Sequence, residues 1–205
     1  MYKRIGKFCL FLGLACLAGA IGLIAYNRWE DRYAQDASKD LLEKVQGVME
    51  QPRSDPALPE EGVNFPGDLP TTPTEMGCVK VDGEDCIGVL FIPALNVELP
   101  VLKSWSYSKL KKAPCHYFGT YYEKNFVIAG HNYSSHFGKL PQLRPGDLVF
   151  FTDVNGKVYS YAVDLLETLP KEATGEMISG GFDLSLYTCT TGGEGRVTVR
   201  CTRVF

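Results

Sequence analysis

The residue types best suited to covalent chemistry sit together in DLSLYTCTTGGEGRVTVR, from Asp183 to Arg200. Strand side chains alternate with period two, so Leu184, Leu186 and Thr188 share one face and Ser185, Tyr187 and Cys189 the other. The leucine face reads as the core face, which puts Cys189 at a strand end, facing outward into a groove. Beyond a glycine-rich turn, Val197, Val199 and Cys201 alternate with Arg196, Thr198, Arg200 and Thr202. A thiol and a guanidinium therefore share one outer surface. Arg196 follows the turn and lies opposite the thiol, whereas Arg200 is four residues further, about 13 Å at roughly 3.3 Å per residue.

A nucleophilic cysteine needs a proton partner and a group to hold the oxyanion. The chain has three histidines. His131 closes the apolar strand NFVIAGH after a glycine that permits close approach, while His116 and His136 fall in polar loops; His131 is the candidate acid and base. At ordinary pKa values of about 8.5 and 6.5, only about 3% thiolate and about 25% imidazolium exist at pH 7, and both together in under about 1% of molecules. Such a pair works slowly unless its surroundings shift those values.

Ala129-Gly130-His131-Asn132, Leu186-Tyr187-Thr188-Cys189 and Arg196 opening a final strand resemble the sortases, membrane-anchored cysteine transpeptidases of Gram-positive bacteria, over residues 87 to 205. One departure is Ser185 where the family pattern usually has threonine. The resemblance implies a closed β-barrel and cleavage of a Leu-Pro-x-Thr-Gly-like sorting signal. It implies a thioacyl enzyme on Cys189, His131 as acid and then base, and Arg196 on substrate and oxyanion. Thr188, Thr190 and Tyr187 become substrate or oxyanion contacts, with the Thr190 N–H as a second donor. The expected partners are sorting-signal-bearing surface proteins or pilins, with a peptidoglycan or lysine amine as acceptor. No cofactor is expected, although Glu167, Glu172 and Glu176 lie near a loop that binds calcium in some relatives. Fifteen residues from Thr168 to Phe182 leave no room for a large helical insertion, which suggests a compact general or D-like class, whereas the helix at 28–51 suggests class B.

The elements that must position these groups are short strands. Ile87 to Ile92, Val97 to Leu102, Asn125 to Gly130, Asp147 to Thr152, Lys157 to Leu166, Asp183 to Thr190 and Arg196 to Phe205 are strand-like runs. Asp82-Gly83 and Val154-Asn155-Gly156 supply hairpin turns. Ser108 to Lys112 reads as one helical turn and Phe137 to Leu143 as a short helix. The pattern is mostly β, a closed barrel of about eight strands within residues 76–205.

Upstream, Lys3, Arg4 and Lys7 precede an uncharged run of 19 residues, Phe8 to Tyr26. At about 1.5 Å per residue this crosses a hydrocarbon core of about 30 Å. Its basic flank predicts a cytoplasmic N-terminus and an exported catalytic domain. Residues 1–27 are read as stub and anchor. A signal-peptidase site at Ala18-Gly19-Ala20 or a lipobox ending at Cys16 would export the chain equally. Residues 28–51 carry Trp29, Tyr33, Ala37, Leu41, Val45 and Val48 at helical spacing. Residues 52–75 hold six of the 12 prolines and read as a linker that carries the domain away from the bilayer.

A net charge of −3 and a pI near 5.7 give no case for nucleic acid. Of the seven cysteines, Cys9 and Cys16 lie in the apolar run. Cys78, Cys86, Cys115 and Cys201 remain for pairing, with Cys78 and Cys86 flanking a turn. No Cys-x-x-Cys spacing points to zinc. Rival readings fit less well: NlpC-type endopeptidases place cysteine before histidine, L,D-transpeptidases want a different approach to the nucleophile, and an inactive anchored scaffold would not need this constellation.

Overall fold

The computed structural model describes residues 2–50 and 75–204, without the side chains of residues 2–5 and 9. The prolines of the 52–75 stretch, and so the linker reading, lie outside the described residues. Nine strands are present among the described residues. These are β1 (Val79–Val81), β2 (Glu84–Ile92), β3 (Val97–Leu102), β4 (Cys115–Phe118), β5 (Phe126–Ala129), β6 (Leu148–Asp153), β7 (Val158–Pro170), β8 (Leu184–Cys189) and β9 (Gly195–Arg203). Their order is β1-β2-β3-β4-β5-β8-β9-β7-β6, and β6 also pairs with β2. Eight strands, β2 to β9, thus close into a barrel, and β1 is a short flap on β2. Closure leaves few open strand edges.

Period-two alternation fills the barrel. Leu184, Leu186, Val199 and Cys201 meet Ile87, Leu90, Phe126, Ile128, Phe151 and Tyr161 in the inner core. Cys201 is therefore a core residue, its thiol pushed up by burial. Cys78, Cys86 and Cys115 are free thiols as well, so the Cys78–Cys86 pairing that the turn suggested does not form. β1 and β4 are too short to announce themselves in the sequence.

The outer face of the barrel is not a solvent face. Ser185, Tyr187, Thr198 and Arg200 are all buried, which corrects the expectation of an open polar surface. A second cluster lies over them, in which Leu41 and Val45 meet Val81, Val89, Leu102, Val127, Ala129, Met177 and Tyr187. The covering elements are α1 (Tyr2–Met49), α2 (Tyr107–Leu110) and α3 (Thr174–Ser179). α3 fits within the fifteen residues before β8. The helix expected near Phe137 is only a 3₁₀ turn, Leu140–Gln142, shortened by Pro141.

The anchor and the amphipathic segment form one uninterrupted helix, because no proline or glycine separates Asn27 from Gln46. Its docked stripe is Ala34, Ser38, Leu41 and Val45. Of the stripe that the helical spacing predicts, Leu41 and Val45 dock, whereas Trp29 and Tyr33 stay about 60% exposed and stack at 6.0 Å between ring centroids. Small side chains at 34 and 38 let the helix approach the barrel closely, and that advantage outweighs aromatic area here. α1 lies against β1, β2 and β3, so the domain is held to the helix directly.

Gly130 joins β5 to His131, and a Cβ there would come to 2.3 Å from the Phe137 ring. That ring is fully buried and cannot swing aside without opening the core. Gly130→Ala is expected to cost about 1–3 kcal/mol through overpacking. Urea denaturation should show it; a midpoint equal to that of the unsubstituted protein would mean that the Phe137 loop yields freely.

Candidate active site

β8 is flanked by β5 on one side and β9 on the other. The parallel β5–β8 register pairs Ala129 with Tyr187, and Gly130 N–H donates to Tyr187 O at 3.0 Å. His131 and Cys189 each lie two residues beyond this last β5–β8 pair. The antiparallel β8–β9 register pairs Cys189 directly with Arg196. The thiol and the guanidinium are thus cross-strand neighbours, and the imidazole follows the end of the adjoining strand β5. Arg200 pairs with Ser185 at the other end of β8.

Cys189 is exposed and lines a groove of about 280 Å³ with Asn132, Gly138, Pro141, Thr188 and Val197. His131 lines an adjoining cavity of about 510 Å³ with Arg28, Glu30, Asp31 and Tyr133. Asn132 and Thr191 belong to both. His131 is half-buried and its ring stacks on Tyr133, with centroids 3.8 Å apart and planes 12° from parallel. Burial pulls its pKa below the usual histidine value, partly opposed by the Glu30 carboxylate and reinforced by Lys111.

Three polar atoms here are buried without a hydrogen-bond partner among the described residues: His131 Nδ1, Thr188 Oγ1 and Arg196 Nη1. Buried polar groups are normally paired, so these three are exceptions. Tyr187 lies beneath Arg196, whose guanidinium sits 5.4 Å from the ring centre, and is buried rather than open to the groove. The Thr190 N–H donates to Gly195 O at 2.8 Å, closing the turn between β8 and β9. It is not a free oxyanion donor in this geometry, contrary to the expectation.

Several residues at the site gave no sequence signal. Tyr117 packs edge-on against Tyr187 at 5.3 Å, and Trp105 against Tyr117 and Tyr107 at 6.5 and 4.9 Å. An aromatic row therefore runs from Arg196 across the outer face; Ala129 between β4 and β8 is small enough to let the tyrosines meet. Pairs of aromatics scattered over 80 residues cannot be found by local periodicity.

Arg200 is a structural cation. It is 2% exposed, and its Nε donates to Glu167 at 2.7 Å while Nη1 and Nη2 reach Met177 O, Ser185 Oγ and Glu176 O at 2.8–2.9 Å. The Glu167 carboxylate is thereby tied to Arg200, Glu176 offers it only a backbone carbonyl, and Glu172 faces Lys171. No group of three or more His, Cys, Asp or Glu side chains placed to hold a metal occurs among the described residues.

A Sortase-domain family model matches residues 90–204, more than half of the chain. The chain belongs to the sortase family. It is 30% identical over 127 residues to sortase A of Bacillus anthracis, and the match covers 57% of the chain and 58% of that relative's length. Among solved structures, sortase C1 of Streptococcus agalactiae is similar at 26% identity and a TM-score of 0.55, covering 62% of the chain and 71% of its own. A sortase D5 transpeptidase of Clostridium perfringens shares the fold at a TM-score of 0.62 and 18% identity, covering 83% of the chain and 99% of its own. The barrel closure described above is the sortase barrel.

His116 is hydrogen-bonded on β4, which corrects its reading as a polar-loop residue, and His136 is sealed by burial. His116 lies between Lys103 O and Gly119 O, at 3.3 and 2.7 Å. His136 is fully buried against Ala34 of α1, which corrects its reading as a polar-loop residue, and burial lowers its pKa to about 4. Unfolded, it titrates near 6.5, so between these values the unfolded chain binds more protons than the folded one. Its contribution to stability is complete above about pH 6.5 and is expected to drain away as the pH falls to about 4, by about 3 kcal/mol. Denaturation midpoints measured across that range should fall with acid, and His136→Phe should flatten the dependence; an unchanged slope in the variant would place the effect elsewhere.

Arg200→Lys keeps the charge but cannot reach four acceptors from a planar fork. A loss of about 2–3 kcal/mol in stability is expected, against a negligible one for Arg196→Lys. Equal midpoints for the two variants would contradict the structural assignment.

Proposed function

We propose that this sortase is an exported cysteine transpeptidase that cleaves an LPxTG-like sorting signal between Thr and Gly and passes the acyl group to an amine. The observation that supports this reading is the register of β5, β8 and β9: Cys189 pairs with Arg196, and Ala129, two residues before His131, pairs with Tyr187, two residues before Cys189. Burial keeps His131 neutral at rest, so the proton leaves the Cys189 thiol for the imidazole as sulfur attacks the threonine carbonyl. Arg196, whose Nη1 has no partner among the described residues, donates to the developing oxyanion. As the intermediate collapses, the C–N bond breaks and His131 gives its proton to the departing glycine amine. The acceptor amine then loses a proton to His131, attacks the thioester and expels Cys189. Thr188 Oγ1, buried and unpartnered in the groove, contacts the signal. With Thr190 N–H engaged, Arg196 carries the oxyanion role alone unless the β8–β9 turn opens.

The acceptor is a peptidoglycan stem or pilin lysine amine, and the products are wall-anchored surface proteins or pili. In the proposed topology the apolar part of α1, the one described helix long and apolar enough to cross a membrane, is a single-pass anchor with the basic end inside. Residues 1–27 anchor, 28–51 dock and 76–205 catalyse, without a cofactor.

The full chain in detergent, incubated with a panel of sorting-signal peptides and an amine, should give a thioacyl adduct on Cys189 and a new amide by mass spectrometry. Cys189→Ala is expected to abolish both, and His131→Ala to lose several orders of magnitude. Arg196→Lys should lose about a hundredfold, on the order of 3 kcal/mol. An adduct persisting on Cys115 or Cys201 in Cys189→Ala would overturn the assignment.

A further inference from the structure

The first turn of α1 beyond its apolar run rests on the loop that follows His131. Asp31 Oδ1 accepts from Ser135 N–H and Ser135 Oγ, at 3.4 and 3.2 Å, and Oδ2 accepts from Ser134 Oγ. One turn on, Ala34 closes over His136. Glu30 pairs with Lys111 at 2.9 Å and faces the Tyr133 hydroxyl. Between these fixed points the loop holds the Tyr133 ring flat against His131. Asp31 lies five residues past Tyr26, about 7.5 Å along the helix, so the clamp sits just where the apolar run ends. Asp31 is half-buried, and burial raises its carboxyl pKa less than the serine donors lower it, which keeps it charged and the clamp closed at neutral pH.

We propose that the anchor helix is part of the active site: Asp31 is a positioning residue that sets the His131 imidazole through Ser134, Ser135 and Tyr133. The proposal rests on the transpeptidase reading for its kinetic consequence, but the geometry it asserts does not. Loss of the clamp frees the 132–136 loop, the Tyr133 ring leaves His131, and the imidazole gains water and loses aim. Displacement of a catalytic group by about 1 Å commonly costs on the order of a hundredfold in rate. The groups facing His131 are Glu30 from α1, Lys111 from the segment after α2, and Asn132, Tyr133 and His136 from its own loop. Arg28 and Asp31 line the same cavity as His131, but Asp31 makes its hydrogen bonds to Ser134 and Ser135, so its influence passes through the loop.

The test compares Asp31→Ala, Asp31→Asn and the exposed-site control Asp36→Ala in the full chain in detergent. NMR titration of histidine-labelled protein reads His131 without turnover, and peptide kinetics read kcat and KM separately. In Asp31→Ala the His131 pKa is expected to rise toward its ordinary value by about half a unit or more, as burial is relieved. kcat is expected to fall about ten- to hundredfold with KM within a factor of about three. Asp31→Asn keeps an acceptor oxygen for Ser135 and offers an amide N–H to the Ser134 hydroxyl, and should stay near the unsubstituted protein in both readouts, as should Asp36→Ala. An unmoved His131 titration in Asp31→Ala overturns the proposal, and so does an Asp31→Asn that behaves like Asp31→Ala. A chain inactive on every peptide, with the His131 shift still present, would overturn the transpeptidase reading and leave the positioning intact.

Discussion

The hydrogen-bonded ladder on both sides of β8 is the constraint on which the rest depends. β8 pairs in parallel with β5 and antiparallel with β9, and each partner delivers one group to the end where Cys189 emerges. Side-chain alternation alone would leave three residues far apart in sequence with no fixed relation. Register removes that freedom, because a slip of one residue on either side would turn the imidazole or the guanidinium to the opposite face. The barrel around them supplies the cooperativity: closing β6 onto β2 gives each of the eight strands β2 to β9 a neighbour on both sides, so no register can slip alone.

The two cations of β9 show how position on one strand divides labour. Arg196 and Arg200 share a face, and four residues separate a half-exposed guanidinium with an unpartnered nitrogen from one that is saturated and sealed. α3 accounts for the difference: its residues Glu176 and Met177 offer carbonyls over Arg200 and nothing over Arg196. A sealed cation fixes the β7–β8–β9 layer, while an open one keeps donor capacity for a substrate.

Much of this was legible in the sequence where the signal is local. The period-two pattern of β8 and β9 located the leucine core face, the cysteine at a strand end and the opposition of Arg196 to Cys189, and the Asp82-Gly83 and Asn155-Gly156 turns were readable from their chemistry. What local patterns could not show is what covers a surface. The polar face of β8 and β9 looked solvent-exposed because nothing near it in sequence reveals α1 and α3 lying on it. His136 reads as a loop residue for the same reason, since its burial comes from Ala34, a hundred positions away. The phase of α1 was misjudged because Trp29 and Tyr33 carry more apolar area than Ala34 and Ser38. Close approach of a helix to a barrel selects small side chains, and hydropathy does not register that.

A stiff helix has a further consequence for an anchored enzyme. From Asn27 to Gln46, α1 contains neither proline nor glycine, and burial of Leu41 and Val45 supplies about 1.5–3 kcal/mol each toward holding it on the barrel. Polar clamps at Asp31 and Glu30 then fix its rotation, which apolar packing of such small residues as Ala34 and Ser38 would leave loosely defined. With both rotation and height set, the groove at Cys189 keeps one orientation relative to the end of the apolar run. In the proposed topology that orientation is the one offered to a sorting signal, whose own polypeptide reaches the same membrane surface. A flexible linker would instead let the domain sample many orientations, and each productive encounter would carry the entropy of choosing one.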